Sequence, residues 1–294
     1  MSDLLQQIVS GLASGGIYAS LALAIVLIHR ATGIINFAQG EMATFSTYIA
    51  WSLTTVHGWP YWPAFAVTLA LSFGGGVAVH QLAIRPNERG SALRVVIVTI
   101  GLLVILNGLT TLIWSGEVRA VQSPFPSTTI DVAGVAISVQ DIGTIAVALG
   151  TVGLLWLLFQ YTTVGLAMRA AAVNPVEARL VGVRVAWMLS LGWGLAAVLG
   201  AVAGMLAAPT VFLDPNMMQA ILIYAFAAAV LGGIDSPIGA VVGGLLLGVG
   251  LNLMGTYVDF VGADLRLPAA LAVILVVLLV RPAGIFGKTA VRKV

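Results

Sequence analysis

Polar residues in this chain fall into short clusters separated by long apolar runs. The runs occupy about residues 8–28, 38–56, 62–84, 95–114, 141–160, 187–207, 217–232, 238–256 and 267–280. Crossing a bilayer core takes about 20 helical residues at ~1.5 Å each. The pattern therefore predicts an all-α fold: a polytopic transmembrane helical bundle of about nine spans, the last of them short. Only the turn-rich Gly232-Gly233-Ile234-Asp235-Ser236-Pro237 separates the seventh run from the eighth. Two longer polar segments remain, at about 115–140 and 161–186. Nothing else is long enough to fold in water, so a single transmembrane domain is expected to fill residues 1–294. No repeat between the two halves is legible.

Basic residues orient such a bundle, because lysine and arginine are retained on the cytoplasmic side. With the N-terminus outside, nine alternating spans place Arg30, Arg85, Arg89, Arg94, Arg169, Arg179, Arg184, Arg281, Lys288, Arg292 and Lys293 inside. Only Arg119 and Arg266 of the 13 basic residues then lie outside. Acidic residues lean outward: Asp3, Glu117, Asp131, Asp141, Asp214, Asp259 and Asp264. The expected topology has an outer N-terminus, an outer loop at 115–140, a cytoplasmic loop at 161–186 and a cytoplasmic C-terminus.

Composition agrees. Hydrophobic residues make up 60% of the chain and charged residues 8%, with a mean hydropathy of +1.07. A soluble domain carries roughly 25% charged residues, and one with a third of that would expose aggregating apolar surface. The 34 glycines suit helices that associate in lipid by close backbone approach. Gly11/Gly15, Gly200/Gly204, Gly239/Gly243 and Gly244/Gly248 have the small-xxx-small spacing and read as packing faces. The absence of cysteine excludes disulfides, thiol catalysis and thiolate metal sites. His29, His57 and His80 lack metal-ligand spacing and read as loop or helix-end residues. The first apolar run lacks a basic leader and is expected to remain as a helix.

An energy source should leave a mark. Gly284-Ile285-Phe286-Gly287-Lys288-Thr289 superficially resembles a phosphate-binding loop. That loop needs four residues between its glycines and must join a strand to a helix; here Pro282 stands at the first glycine position, and the string follows a membrane helix. It reads as a basic tail at the membrane surface. Ion-coupled carriers keep charged groups at depth despite a cost of roughly 2.5–3.5 kcal/mol each. The spans hold almost no such groups: Glu41 lies near the start of the second, and Asn107 and Asn252 are mid-helix but neutral. Neither a metal cluster nor a nucleophile–base pair is visible, so the chain reads as a non-catalytic transport protein without a cofactor of its own.

The cytoplasmic loop is the most specific local sequence. Asn174 is suited to cap a helix, Pro175 to open it, Glu177 to complete a capping box and Gly182 to stop it. These residues predict a short rigid helix at 175–181. Physics alone leaves two roles open: docking into a groove of another protein, or resting on the lipid surface.

Four stretches in register resemble one family. Gly165-Leu166-Ala167-Met168-Arg169-Ala170, followed by Asn174, Ala178 and Gly182, is similar to the coupling loop of ATP-binding-cassette import permeases of the branched-chain amino acid (Liv) type. Gly33-Ile34-Ile35-Asn36-Phe37-Ala38-Gln39-Gly40-Glu41 resembles that family's turn into the second helix. Leu231 to Ala240 resembles its double-glycine hairpin, and Arg281-Pro282-Ala283-Gly284-Ile285-Phe286-Gly287 its closing segment.

The resemblance implies a permease subunit in a bacterial plasma (inner) membrane. Its implied partners are a second homologous permease, two cytoplasmic ATPase subunits and an outer solute-binding protein, with lipid around them and no nucleic acid. Arg169, Asn174, Glu177 and Gly182 are the implied coupling residues; Arg169 alternatively anchors a helix end at the headgroups. A substrate path needs polar groups and broken helices, which singles out Asn36, Gln39 and Glu41, then Thr99, Asn107 and Asn252. Neighbouring-helix hydrogen bonds are an equal reading for Asn107 and Asn252. The implied cargo is a branched-chain or related amino acid. A urea, amide or other small-solute permease of the same family, or an ion-coupled carrier using Glu41, stands as the alternative.

Overall fold

The computed structural model describes residues 2–88, 90–132, 135–258, 262 and 265–287. Arg89, Asp259, Asp264, Lys288, Thr289, Arg292 and Lys293, which enter the charge and tail readings above, lie outside these residues.

Each expected apolar run is a helix. They are α1 (Ser2–Thr32), α2 (Gln39–Trp51), α3 (Tyr61–Val79), α4 (Ala92–Trp114), a later α5 (Val139–Tyr161), then α8 (Val185–Val211), α9 (Met218–Gly232), α10 (Pro237–Tyr257) and α11 (Arg266–Val280). α6 (Thr163–Val173) and α7 (Pro175–Leu180) fill the 161–186 loop. α2 and α3 each run on into a π-helical turn, Ser52–Val56 and His80–Ile84. Among the described residues, six helices are long and apolar enough to cross a membrane; α9 and α11 are shorter apolar helices. The chain is thus a helical polytopic membrane protein.

Two local expectations need correction. The 115–140 segment is not purely irregular: β1 (Thr129–Val132) pairs antiparallel with β2 (Val135–Ser138), Thr129 opposite Ser138. Alternating β-branched residues favour such a ribbon, but four-residue strands carry too little pattern to stand out beside spans of 20 residues. In addition, α6 forms a full helix ahead of α7. Its Thr162 cap, whose Oγ1 accepts from Gly165 N–H at 3.0 Å, reads in sequence as an ordinary polar loop residue.

The core is built on α1 and α8, which lie antiparallel at the centre and are the most enclosed of the long helices. α1 packs along α10, and glycine allows it: a Cβ on Gly11 would stand 2.7 Å from Val249 Cα, and one on Gly15 2.9 Å from Leu245 Cα. Gly244 and Gly248 press back on Ala19 and Gly15. α8 packs along α3 in the same antiparallel sense, with Gly76 against Trp193. His80, buried at the end of α3, joins this contact through Nδ1 to Ser190 Oγ at 2.8 Å and Nε2 to Glu88 at 2.9 Å.

These pairings reveal an inverted repeat that the sequence hides. α1 contacts α9 and α10; α8 contacts α2 and α3. α4 lies on α2 as α11 lies on α9. The sets α1–α4 and α8–α11 therefore correspond element by element, with α5, α6 and α7 between them. Packing preserves small residues and helix lengths rather than identities, which is why aligning the halves by residue type shows nothing.

Candidate functional site

Each central helix ends at a residue with left-handed backbone, Gly33 (φ 73°) in α1 and Phe212 (φ 64°) in α8. Beyond each, the chain leaves helical geometry for a few residues and turns back along the bundle. The next helix then starts at depth. Gln39, the first residue of α2, meets Ala196 near the middle of α8, and Gly40 abuts Met218 and Leu222 at the start of α9. The two short helices thus begin side by side inside the bundle.

Both breaks are built alike. Asn36 Oδ1 accepts from Ala38 N–H at 3.1 Å, and Asp214 Oδ1 from Asn216 N–H at 2.7 Å, so each forms an Asx turn. Asn36 Nδ2 donates to Gln39 Oε1 at 3.1 Å; Gln219 Nε2 donates to Asn216 Oδ1 at 2.9 Å. An Asn-x-x-Gln pair therefore braces each interruption. Backbone freed from a helix inside lipid must find internal partners, and these amides provide them. Gln39 also donates through Nε2 to Ala196 O at 2.9 Å, stitching the first break to the second central helix.

Asn107 of α4 joins the two. Its Nδ2 lies 3.3 Å from Glu41 Oε2, 3.2 Å from Pro215 O and 3.0 Å from Asn216 Oδ1. Glu41 is only 4% exposed, whereas Asn216 and Gln219 are open on the α9 side. The result is a polar seam with one enclosed carboxylate, five carboxamides and Asp214, set where two helix starts meet. It offers acceptors and donors to a small polar solute.

Of the expected path residues, the structure brings together Asn36, Gln39, Glu41 and Asn107. Thr99 is buried elsewhere on α4 and bonds Val96 O at 2.8 Å within its own helix. Asn252 ties α10 to the start of α1 through Gln7 O at 2.7 Å and Gln7 Oε1 at 2.8 Å. Asp214, Asn216 and Gln219 were not singled out from sequence. Their signal was present: Asn216-x-x-Gln219 repeats the spacing of Asn36-x-x-Gln39.

The 161–186 loop has the expected cap. Asn174 Oδ1 accepts from Val176 N–H at 3.1 Å and Glu177 N–H at 3.3 Å, Pro175 opens α7, and Gly182 has φ 85°. Val183 N–H reaches Ala178 O at 2.9 Å, closing the helix with a Schellman turn. α7 ends one residue before the expected 181. The reciprocal half of the capping box does not form, because Asn174 N–H is already donated to Ala170 O at the end of α6. Glu177 is left exposed, and Val176, Leu180 and Val181 present an apolar surface beside it. Arg169 sits on α6, donating to Gln160 Oε1 at 3.3 Å.

The hairpin and the closing segment meet each other. Ile285 N–H donates to Leu231 O at 2.8 Å and Phe286 N–H to Gly232 O at 3.0 Å. Gly233, at φ 106°, leaves room for Ala283 and Gly287.

Residues 7–281 match the family model of the branched-chain amino acid transport system permease component. The chain belongs to this family. It is 32% identical to the high-affinity branched-chain amino acid transport system permease protein BraD of Pseudomonas aeruginosa, over 99% of this chain and 98% of that one. It is 28% identical to LivH of Escherichia coli, a permease protein described in the same words, over 99% and 97%. Among solved structures, PsaBC from Streptococcus pneumoniae in complex with Fab shares the fold, with a TM-score of 0.52 at 14% identity over 93% of this chain and 91% of that one. An inward-facing metal-chelate type ABC transporter gives 0.52 at 15% identity, over 94% and 84%. Within this permease, the four sequence signatures fall at structural junctions: the first break, the α6–α7 loop, the α9–α10 hairpin and the segment that docks on it.

Proposed function

We propose that this permease forms half of the translocation path of an ATP-driven importer for branched-chain amino acids in a bacterial inner membrane. Its relatives carry that cargo in their names. The observation that carries the reading is the polar seam at the paired helix breaks: unwound segments at depth, lined by carboxamides and one carboxylate, are where membrane carriers hold polar solutes. The α-ammonium of an amino acid would meet Glu41, and its carboxylate the Asn107, Asn216 and Gln219 amides. Nine helices, α1 to α5 and α8 to α11, would cross the membrane, with the N-terminus outside and the C-terminus in the cytoplasm. The basic residues support that orientation.

The chain would hydrolyse nothing. Two cytoplasmic ATPases would drive it, α7 would seat in them, and Arg169, Asn174, Glu177 and Gly182 would hold the knob in shape. A second permease subunit would complete the path, and an outer binding protein would deliver cargo. The test is reconstitution in liposomes. Leucine uptake should require ATP, the ATPases and the binding protein together, and deletion of 175–181 should abolish it while the protein still inserts. Uptake by this chain alone, driven by a proton or sodium gradient, would refute the proposal.

A further inference from the structure

A groove of about 500 Å³ opens between α1, α5, α6, α8 and α10, and none of the seam's polar side chains lines it. Its walls are apolar, with Leu23, Leu27, Val152, Phe159, Leu189 and Val241 among them. Its α6 end is different. Arg30, Gln160 and Arg169 stand there, and no carboxylate lines the groove among the described residues. Arg30 is exposed and its guanidinium has no partner among the described residues. Arg169 spends one nitrogen on the neutral Gln160, and its Nε is buried with no hydrogen-bond partner.

A hydrocarbon slot closed by two uncompensated guanidiniums matches one kind of molecule. Arginine forks recognise phosphate, and the apolar walls need a chain that free phosphate lacks. An amino acid would find no carboxylate here for its ammonium. We propose that this groove binds an anionic phospholipid, one acyl chain lying between α1 and α5 and the phosphate held by Arg30 and Arg169. Basic pockets between membrane helices take such headgroups. Because Met168 and Ala172 of α6 also line the groove, a bound lipid would steady the helix that leads into α7. The placement in the inner leaflet, and the link to α7 as a coupling element, rest on the function proposed above; the binding itself does not.

The test uses the full-length protein in detergent, delipidated and then reloaded, with bound lipid read by native mass spectrometry. Phosphatidylglycerol should be retained about five-fold or more over phosphatidylcholine, a preference expected of charge pairing. Inorganic phosphate alone should not compete. Gly153 lines the groove, and a Cβ there meets nothing within 4 Å, so Gly153→Leu should fill the slot and lose both lipids without a change in melting temperature. Arg30→Gln should erase the headgroup preference, and Arg30→Lys should restore most of it. Equal retention of phosphatidylglycerol by the wild type, Gly153→Leu and Arg30→Gln overturns the proposal, as does a wild type with no headgroup preference. An Arg30→Cys variant labelled by thiol reagents only from outside the cell would refute the orientation while leaving lipid binding intact.

Discussion

The Gln39 side chain donates to the Ala196 carbonyl at 2.9 Å, joining the start of α2 to the middle of α8. Both residues are fully buried. The bond ties the start of α2, and Glu41 two residues on, to the middle of α8. Replacing Gln39 with leucine leaves Asn36 Nδ2 with only the weak acceptor Met42 Sδ, at 3.5 Å, and removes the donor to Ala196 O. Leaving a buried polar group unsatisfied costs about 1–3 kcal/mol. Thermal unfolding in detergent should report that loss, with reconstituted uptake falling at least as far.

Gly200 offers a sharper check on the same contact. A Cβ at Gly200 would stand 2.8 Å from Gln39 Nε2. Gly200→Ala should therefore be destabilising in the wild type and close to neutral in a Gln39→Ala background. Additive effects of the two changes would show that the residues are not coupled as described.

Glu41 shares the Asn107 amide with the second break. If its work is to accept that hydrogen bond and line the path, Glu41→Gln should keep ATP-driven uptake within about ten-fold of wild type, roughly the value of one charge-assisted bond. Glu41→Leu, which removes the acceptor, should fall much further. Uptake assays with both variants decide between this role and ion coupling, for which glutamine would be as damaging as leucine.

The α1–α10 seam should tolerate no side chain on its contact glycines. Gly15→Val would drive a branched side chain into Leu245 backbone, whereas Gly250 on α10 faces open space. Overpacking typically costs about 1–3 kcal/mol. Expression and melting of Gly15→Val should drop markedly, and Gly250→Val should match wild type.

For α7, Asn174→Ala removes the acceptor that satisfies two N–H groups. Loss of such a cap costs about 0.5–2 kcal/mol of helix stability, and α7 has fewer than two turns to absorb it. ATPase-coupled uptake should fall while membrane insertion and overall melting stay unchanged. Gly182→Ala, at φ 85°, should act in the same direction.

Local order along the chain specifies the helices and their surroundings. Long apolar runs are local, additive signals: about 20 apolar residues in a row demand lipid and a helix whatever their neighbours are. Asn174, Pro175 and Gly182 were equally legible, because a cap is made of residues adjacent in the chain. Tertiary structure decided where the breaks lie in depth and what meets there. Gln39 and Ala196, or Asn107 and Asn216, are far apart in sequence, and their bonds exist only because α1 and α8 cross at the centre with opposite sense. The inverted repeat was invisible for the same reason: close packing constrains size and direction, which many residue types satisfy, so two halves can share a fold while differing in most residue types.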